Sequence, residues 1–343
     1  MVDITIRGAG IMGLMCAWML RTRGAAVQVI DPHGVGAGAS GGIVGALAPH
    51  VPENWNPKKA MQFEALDKAN ALWATIAEAG GQDPGYGRTG RLQPLLDARA
   101  VELARARAVT SQDLWQGRHR WEVIEAACAA VEVNSPTGLV IHDTLTARIH
   151  PKQACLSLSA ALIARGVNIT SDGEARGIEV LATGAADLSE ISQALGRSIG
   201  APIKGQAALL RCALPNVPQV FVDGLHIVPH ADGTVAVGST TEREFESPTA
   251  TDEQLDPLIN RARRALPVLA DAPVIQRWAG LRPRARSRAP MVGAHPTRAE
   301  AYIANGGFKI GLAMAPVVAE MLADLILDTN DRIPDGFRPE ASL

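Results

Sequence analysis

Residues 3–13 read DITIRGAGIMG, and this stretch decides the fold. Asp3 to Arg7 is a short β-branched run suited to a buried parallel strand. It stops at Gly8, and Gly8, Gly10 and Gly13 form a GxGxxG spacing that opens an apolar stretch through Cys16, Ala17, Met19 and Leu20. Arg21, Arg23 and Gly24 then read as a helix stop. The order is strand, tight turn, helix. Gly8 allows the turn, Gly10 lets backbone approach a pyrophosphate, and Gly13 brings helix and strand together, with phosphate at the positive helix end. A second β-rich run, Ala26 to Ile30, closes on Asp31 at the separation expected for a carboxylate on a ribose hydroxyl, and its charge disfavours a 2'-phosphate. These features predict a Rossmann-type dinucleotide site.

The next segment favours FAD over NAD. Gly34, Gly36, Gly38, Gly41, Gly42 and Gly45 crowd the stretch HGVGAGASGGIVGALAP, allowing backbone to lie against a large flat ligand. Ser40 offers a hydroxyl to a phosphate. Ile43, Val44, Ala46 and Leu47 are apolar, which a flexible glycine linker does not need.

The rest of the chain narrows the class. Its 343 residues, 47% of them hydrophobic, can fill two cores. Thirty-three basic against 35 acidic residues give a formal charge of -2, which leaves no positive field for a nucleic acid backbone. Cys16, Cys128, Cys155 and Cys212 lie apart with no CxxC pair, so they are read as reduced core thiols, with no disulfide framework and no metal site. The apolar run Ile11 to Leu20 lacks the flanks of a signal peptide, and no stretch is apolar enough to span a bilayer, so a cytoplasmic protein is expected. From Ala60 to about Val131 the periodicity is helical, with Phe63, Leu66, Ala69, Leu72, Trp73 and Ile76 as core. The stretches VFVDGLHIVP and TVAVGST alternate as antiparallel strands, with a hairpin turn at Ala231 to Gly233.

In order along the chain, several blocks resemble the FAD-dependent D-amino acid oxidase superfamily, particularly its glycine oxidase and sarcosine oxidase-like members. GAGIMG with Asp31 is similar to that family's FAD fingerprint, and GASGGIVGALAP to its flavin-contacting loop. ARIHPKQACLSLSAALIARG (147–166), EVLATGA (179–185) and PIKGQ (202–206) look like its later Rossmann segments and the entry to a substrate domain. HIVPHADGTVAVGSTTE resembles paired strands walling the substrate pocket, WAGLRPRARSRAPMVG (278–293) the return crossing, and NGGFKIGLAMAP (305–316) the final turn and helix.

The resemblance implies an α/β fold: a discontinuous Rossmann-type FAD-binding domain from residues 1–60, 146–205 and 279–343, and an α+β substrate domain with an antiparallel sheet from 61–145 and 206–278. It implies contacts to FAD from Gly8, Gly10, Ile11, Met12, Gly13 and Asp31, and from Ala39, Ser40, Gly41, Gly42, Gly45 and Leu47. Later contacts would come from Thr183, Gly184, Gly280 and Arg282, and from Gly306, Gly307, Phe308, Lys309 and Ile310. Covalent attachment is not expected, because no Cys or His stands at an attachment motif.

Catalysis would need a fixed cation forking onto a substrate carboxylate, and the resemblance assigns this to Arg282. Arg286 and Arg288 read as solvated surface. Lys309 would add positive charge near either the substrate carboxylate or the flavin edge where negative charge develops. His226 would close the pocket or accept a proton from the substrate ammonium, against a structural role. His50 is a weaker candidate. The sequence departs from the family where NITSDGEARGIEV shortens the passage after Gly166, where His226 replaces a frequent tyrosine, and where Gly307 and Lys309 replace a frequent histidine and arginine. Expected partners are a small amino acid or amine and oxygen or another acceptor, with a homo-oligomer left open. The readings are an amine oxidase, a dehydrogenase passing electrons to a quinone or protein, or a flavin-binding protein without catalysis.

Overall fold

A computed structural model describes residues 3–343. Its first sheet has six strands, in the order Met291–Ala294, Ala301–Asn305, Ile178–Leu181, Asp3–Arg7, Ala26–Ile30, Asn168–Thr170. All neighbours are parallel except the first pair. Ile4, Thr5 and Ile6 are buried together, as a strand covered on both faces requires. The shortened passage after Gly166 supplies only the short edge strand Asn168–Thr170 before the chain returns to the centre.

Helix Ile11–Thr22 is apolar nearly all round, because the sheet, helix Gly311–Asp328 and helix Pro151–Ala164 enclose it. Its approach to the first strand depends on glycine. A Cβ on Gly13 would stand 2.0 Å from the Gly8 carbonyl oxygen, and Gly8 has φ +109° with its own Cβ position 2.5 Å from the Ala182 carbonyl oxygen.

Four consecutive parallel strands point the same way, so their carboxyl ends share one edge: Gly8, Asp31, Ala182–Gly184 and Gly306 stand there side by side. The edge lies at the point where the chain's route reverses about the first strand, the usual place for a ligand in such a sheet.

The second sheet has eight strands, in the order Val274–Ala285, Gly200–Arg211, Thr234–Gly238, Leu225–Pro229, Gln219–Val222, Arg91–Pro94, Leu139–Asp143, Trp121–Glu125. It is antiparallel except between Gln219–Val222 and Arg91–Pro94. The expected hairpin at Ala231 to Gly233 forms, with Gly233 at φ +82° and the His230 N–H bonded to the Thr234 carbonyl at 2.8 Å. Asp223 and Gly224, both at positive φ, make the preceding turn.

The helical reading of Ala60 to Val131 is corrected in part. Helix Pro57–Gly80 buries Phe63, Leu66, Ala69, Trp73 and Ile76, and helix Ala98–Leu114 follows, but Arg91–Pro94 and Trp121–Glu125 are strands. The cysteine reading is also corrected. Cys16 and Cys155 are buried, where loss of hydration pushes both thiols up to about 12, whereas Cys128 is exposed and Cys212 half-buried. Among the described residues no helix is long and apolar enough to cross a membrane.

Candidate active site

The glycine turn and the end of the second strand are joined by one carboxylate. Asp31 accepts from the Ala9 N–H at 2.7 Å and from the His33 N–H at 2.9 Å. Helix Ile11–Thr22 begins at Gly10 with no side-chain cap on Gly10 and no acidic residue in its first turn. Ser40 reaches this end: its hydroxyl accepts from the Ile11 N–H at 3.0 Å.

The glycine-rich loop is packed, not loose. A short 3-10 turn spans Ala39–Gly41, Gly41 abuts the Gly36 carbonyl with 2.3 Å to an added Cβ, and Gly45 abuts the Ile149 carbonyl with 1.6 Å. Leu47 pairs with Ala147 and its side chain is buried core, so only its backbone could meet a ligand. Gly42 lies beneath Trp278, whose indole also covers Gly280, with added-Cβ distances of 3.3 and 2.5 Å. Trp278 was absent from the sequence-derived candidates. A single tryptophan in an alternating strand carries no mark of this placement.

The later blocks close on the same region. Gly184, at φ +67°, opens helix Ala185–Ala194, and its carbonyl accepts from Asn305 Nδ2 at 2.9 Å. Thr183 precedes it, its backbone nitrogen 3.2 Å from an added Gly8 Cβ. Gly306, at φ +72°, starts the last turn, and Gly307 would place a Cβ 3.5 Å from Met12 Cε. Phe308 stands at φ +42°, and its N–H bonds the Pro283 carbonyl at 3.0 Å. Ile310 spends its N–H on the Gly307 carbonyl at 2.8 Å before helix Gly311–Asp328 begins.

Arg282, Arg284 and Lys309 surround the Phe308 ring, at 5.6, 5.6 and 5.8 Å from its centroid. Among the described residues none of the three forms an ion pair, while Arg286 and Arg288 are exposed as expected. The Arg282 fork is partly committed. One terminal nitrogen donates to the Lys204 and Thr240 carbonyls at 3.1 and 2.6 Å, the other to Ser239 Oγ at 2.6 Å, and Nε is buried with no partner among the described residues. Burial pushes Arg282 down to about 10, with Glu242 opposing the shift, so it is a cation at neutral pH. Burial and then Arg282 lower Lys309.

His226 stacks on Phe221, ring centroids 4.6 Å apart, with Nδ1 buried and unpartnered among the described residues. Burial, then Arg91 and Lys309, push it down to about 3. It is therefore neutral, able to donate or accept a hydrogen bond but a weak proton acceptor. His50 is tied to Gln62, which accepts from its backbone N–H at 2.8 Å.

These histidines set a pH dependence. His226 and His230 are held at about 3 and 4, below the ordinary 6.5, burial being the first cause in each. As pH falls through 6.5 the unfolded chain takes up protons that the folded chain refuses, so stability is lost between about pH 6.5 and 4. The melting temperature of His226→Phe should fall less across that window than that of the parent. Equal slopes would show that His226 is solvated.

Comparison with known proteins decides the family. The family described as DAO, FAD dependent oxidoreductase, matches residues 3–325. The chain belongs to this family. It is 30% identical to a glycine oxidase of Pseudomonas aeruginosa and 28% identical to one of Pseudomonas putida, covering 99% of both chains each time. In fold it is similar to the crystal structure of glycine oxidase from Geobacillus kaustophilus, with a TM-score of 0.82 at 19% identity and 97% of each chain covered. It is also similar to iminodiacetate oxidase from Chelativorans, with a TM-score of 0.81 at 22% identity and 98% of each chain covered. As a member of the DAO family, this is an FAD-dependent oxidoreductase with a Rossmann-type fold.

Proposed function

We propose that this enzyme oxidises a small amino acid or secondary amine of glycine, sarcosine or D-amino acid type at its CH–NH or CH–NH2 group, giving an imine and, with oxygen, hydrogen peroxide. One observation carries the reading: Arg282 is a half-buried cation with no carboxylate partner among the described residues, set with Lys309 around Phe308 beside the glycine turns. A substrate carboxylate would supply the missing charge. The glycine oxidase names of the Pseudomonas relatives point the same way.

The residues present fit FAD. The uncapped helix end at Gly10 and the Ser40 hydroxyl suit a diphosphate. Asp31 keeps acceptor capacity for a ribose hydroxyl beyond its two backbone bonds. The flavin half is then residues 1–60, 146–205 and 279–343, and the substrate half 61–145 and 206–278.

When bound, FAD supplies the acceptor for the hydride leaving the substrate carbon. The protein's part is to orient and to exclude water. Arg282, whose charge has no carboxylate partner among the described residues and whose Ser239-bonded terminal nitrogen keeps one N–H uncommitted, would hold the carboxylate. Lys309 adds positive charge where negative charge gathers. Neutral His226 gives the substrate nitrogen a hydrogen-bonding partner without a repelling charge.

An anaerobic screen of amino acids and N-methyl amino acids for bleaching of the flavin absorbance tests this. Reduction by at least one of them, with peroxide formed on admitting air, is expected. FAD-loaded protein that none of them bleaches would end the reading.

A further inference from the structure

Behind Arg282 lies a buried charge cluster that the reaction itself does not use. Lys204 is 2% exposed and its ammonium sits 3.3 Å from Glu242 Oε2 and 3.3 Å from Asp252 Oδ2. Glu242, 7% exposed, is occupied on its other oxygen by Gln206 Nε2 at 3.0 Å and by the Thr240 hydroxyl. Lys204 and Glu242 also pair through their backbones, each N–H to the other's carbonyl at 3.0 Å. The Lys204 and Thr240 carbonyls are the two that grip Arg282. A buried cation, Lys204, and a half-buried one, Arg282, therefore share one framework with a buried carboxylate, and that carboxylate is paired only with Lys204.

A buried carboxylate next to a buried guanidinium would ordinarily form a bidentate ion pair, the stronger arrangement. Here Arg282 has no carboxylate within 4.0 Å among the described residues, while Glu242 is hydrogen-bonded on Oε1 by Gln206 and Thr240 and on Oε2 faces only the Lys204 ammonium, an ion pair at 3.3 Å without a hydrogen bond. We propose that Lys204 is a positioning residue: by holding Glu242 it keeps Arg282 unpaired and so open to the carboxylate of the substrate. This rests on the reading of the substrate as a carboxylate-bearing amine. Lys204 touches no reacting atom. It acts by removing an internal competitor for the cation.

The test uses FAD-loaded wild type, Lys204→Met, Lys204→Arg, Glu242→Gln and the double variant Lys204→Met/Glu242→Gln. Each is titrated with benzoate, read by the shift in visible flavin absorbance, assayed with the best amine from the screen, and melted. Freed from Lys204, Glu242 should turn to Arg282, so Lys204→Met is expected to weaken benzoate binding and raise KM by about tenfold or more, the scale of a close charge pair. Its kcat should change by less than about twofold, since only binding is lost. Lys204→Arg should keep wild-type affinity.

Adding Glu242→Gln to Lys204→Met should restore binding to within about threefold of wild type, a coupling that a purely structural role would not give. Benzoate binding unchanged in Lys204→Met, or a double variant no tighter than the single, would overturn the proposal. Should Lys204→Met not fold, Glu242→Gln alone decides: because Glu242 is already held away from Arg282 in wild type, benzoate binding as tight as wild type or tighter supports the proposal, and weaker binding overturns it. Wild type that binds benzoate while Lys204→Met does so equally defeats only this inference. Wild type that binds no carboxylate and is reduced by no amine defeats the functional reading, and this one with it.

Discussion

Arg282→Ala is expected to raise the KM for an amino acid substrate by a hundredfold or more while leaving FAD bound. The expectation follows from charge. Removing one partner of a buried, hydrogen-bonded ion pair costs roughly 2–5 kcal/mol, which is about thirty- to several-thousandfold in affinity. Three acceptors would also each lose a donor, the Lys204 and Thr240 carbonyls and the Ser239 hydroxyl, so some thermal stability should go as well. The loss in binding separates from the loss in stability by substrate choice. An amine without a carboxylate should be handled equally poorly by parent and variant, whereas the preference for the amino acid over that amine should collapse. A variant with parental KM would place the carboxylate elsewhere, with Lys309 the next cation to test.

Gly13→Ala should remove the flavin altogether. Its new methyl would lie 2.0 Å from the Gly8 carbonyl oxygen, 3.1 Å from the Gly8 carbonyl carbon and 3.2 Å from Ile6 Cγ2. The first two are backbone atoms of a strand end held between Ile30 and Ala182, so no side chain can swing aside. Helix and strand must part, at a cost of about 1–3 kcal/mol or more for an overpacked contact. Parting them also separates the helix end at Gly10 from Asp31, which holds the Ala9 N–H. Protein of lowered melting temperature and without flavin absorbance is expected. Gly336→Ala, where nothing lies within 4 Å of the added carbon, should behave as the parent. A yellow Gly13→Ala protein with the parental melting temperature would show that the helix end is not where the cofactor sits.

What the sequence revealed and what it hid divide along physical lines. The strand, turn, helix and Asp31 are local features whose residue types are forced by backbone geometry, so Gly8 and Gly13 announced themselves. The hairpin at Ala231 to Gly233 was legible for the same reason. Strand Arg91–Pro94, reading RLQP, was not, because it looks polar; Trp121–Glu125, with Trp121, Val123 and Ile124, carried a strand signal that the helical reading of the surrounding segment passed over. Arg91 is 5% exposed yet tolerated there through its ion pair with Asp143, Nε to Oδ2 at 2.8 Å, a partner 52 positions away. Hydropathy cannot register a charge that another distant charge has neutralised. The Lys204–Glu242 pair was hidden likewise, since only the pairing of separate strands brings the two together. The hydrogen bonds of Arg282 to carbonyls were equally beyond reach, for backbone acceptors leave no trace in residue type.

The shared edge of the parallel strands bears on how the protein is made. Its turns come from positions 8, 31, 182–184 and 306, so ribosomal synthesis delivers the first two well before the third and the third well before the last. Closing such remote segments is slow relative to local helix formation. Cofactor capture should thus be a late event, following emergence of the strand Ala301–Asn305, and a nascent chain stopped short of it would carry the fingerprint yet hold no flavin.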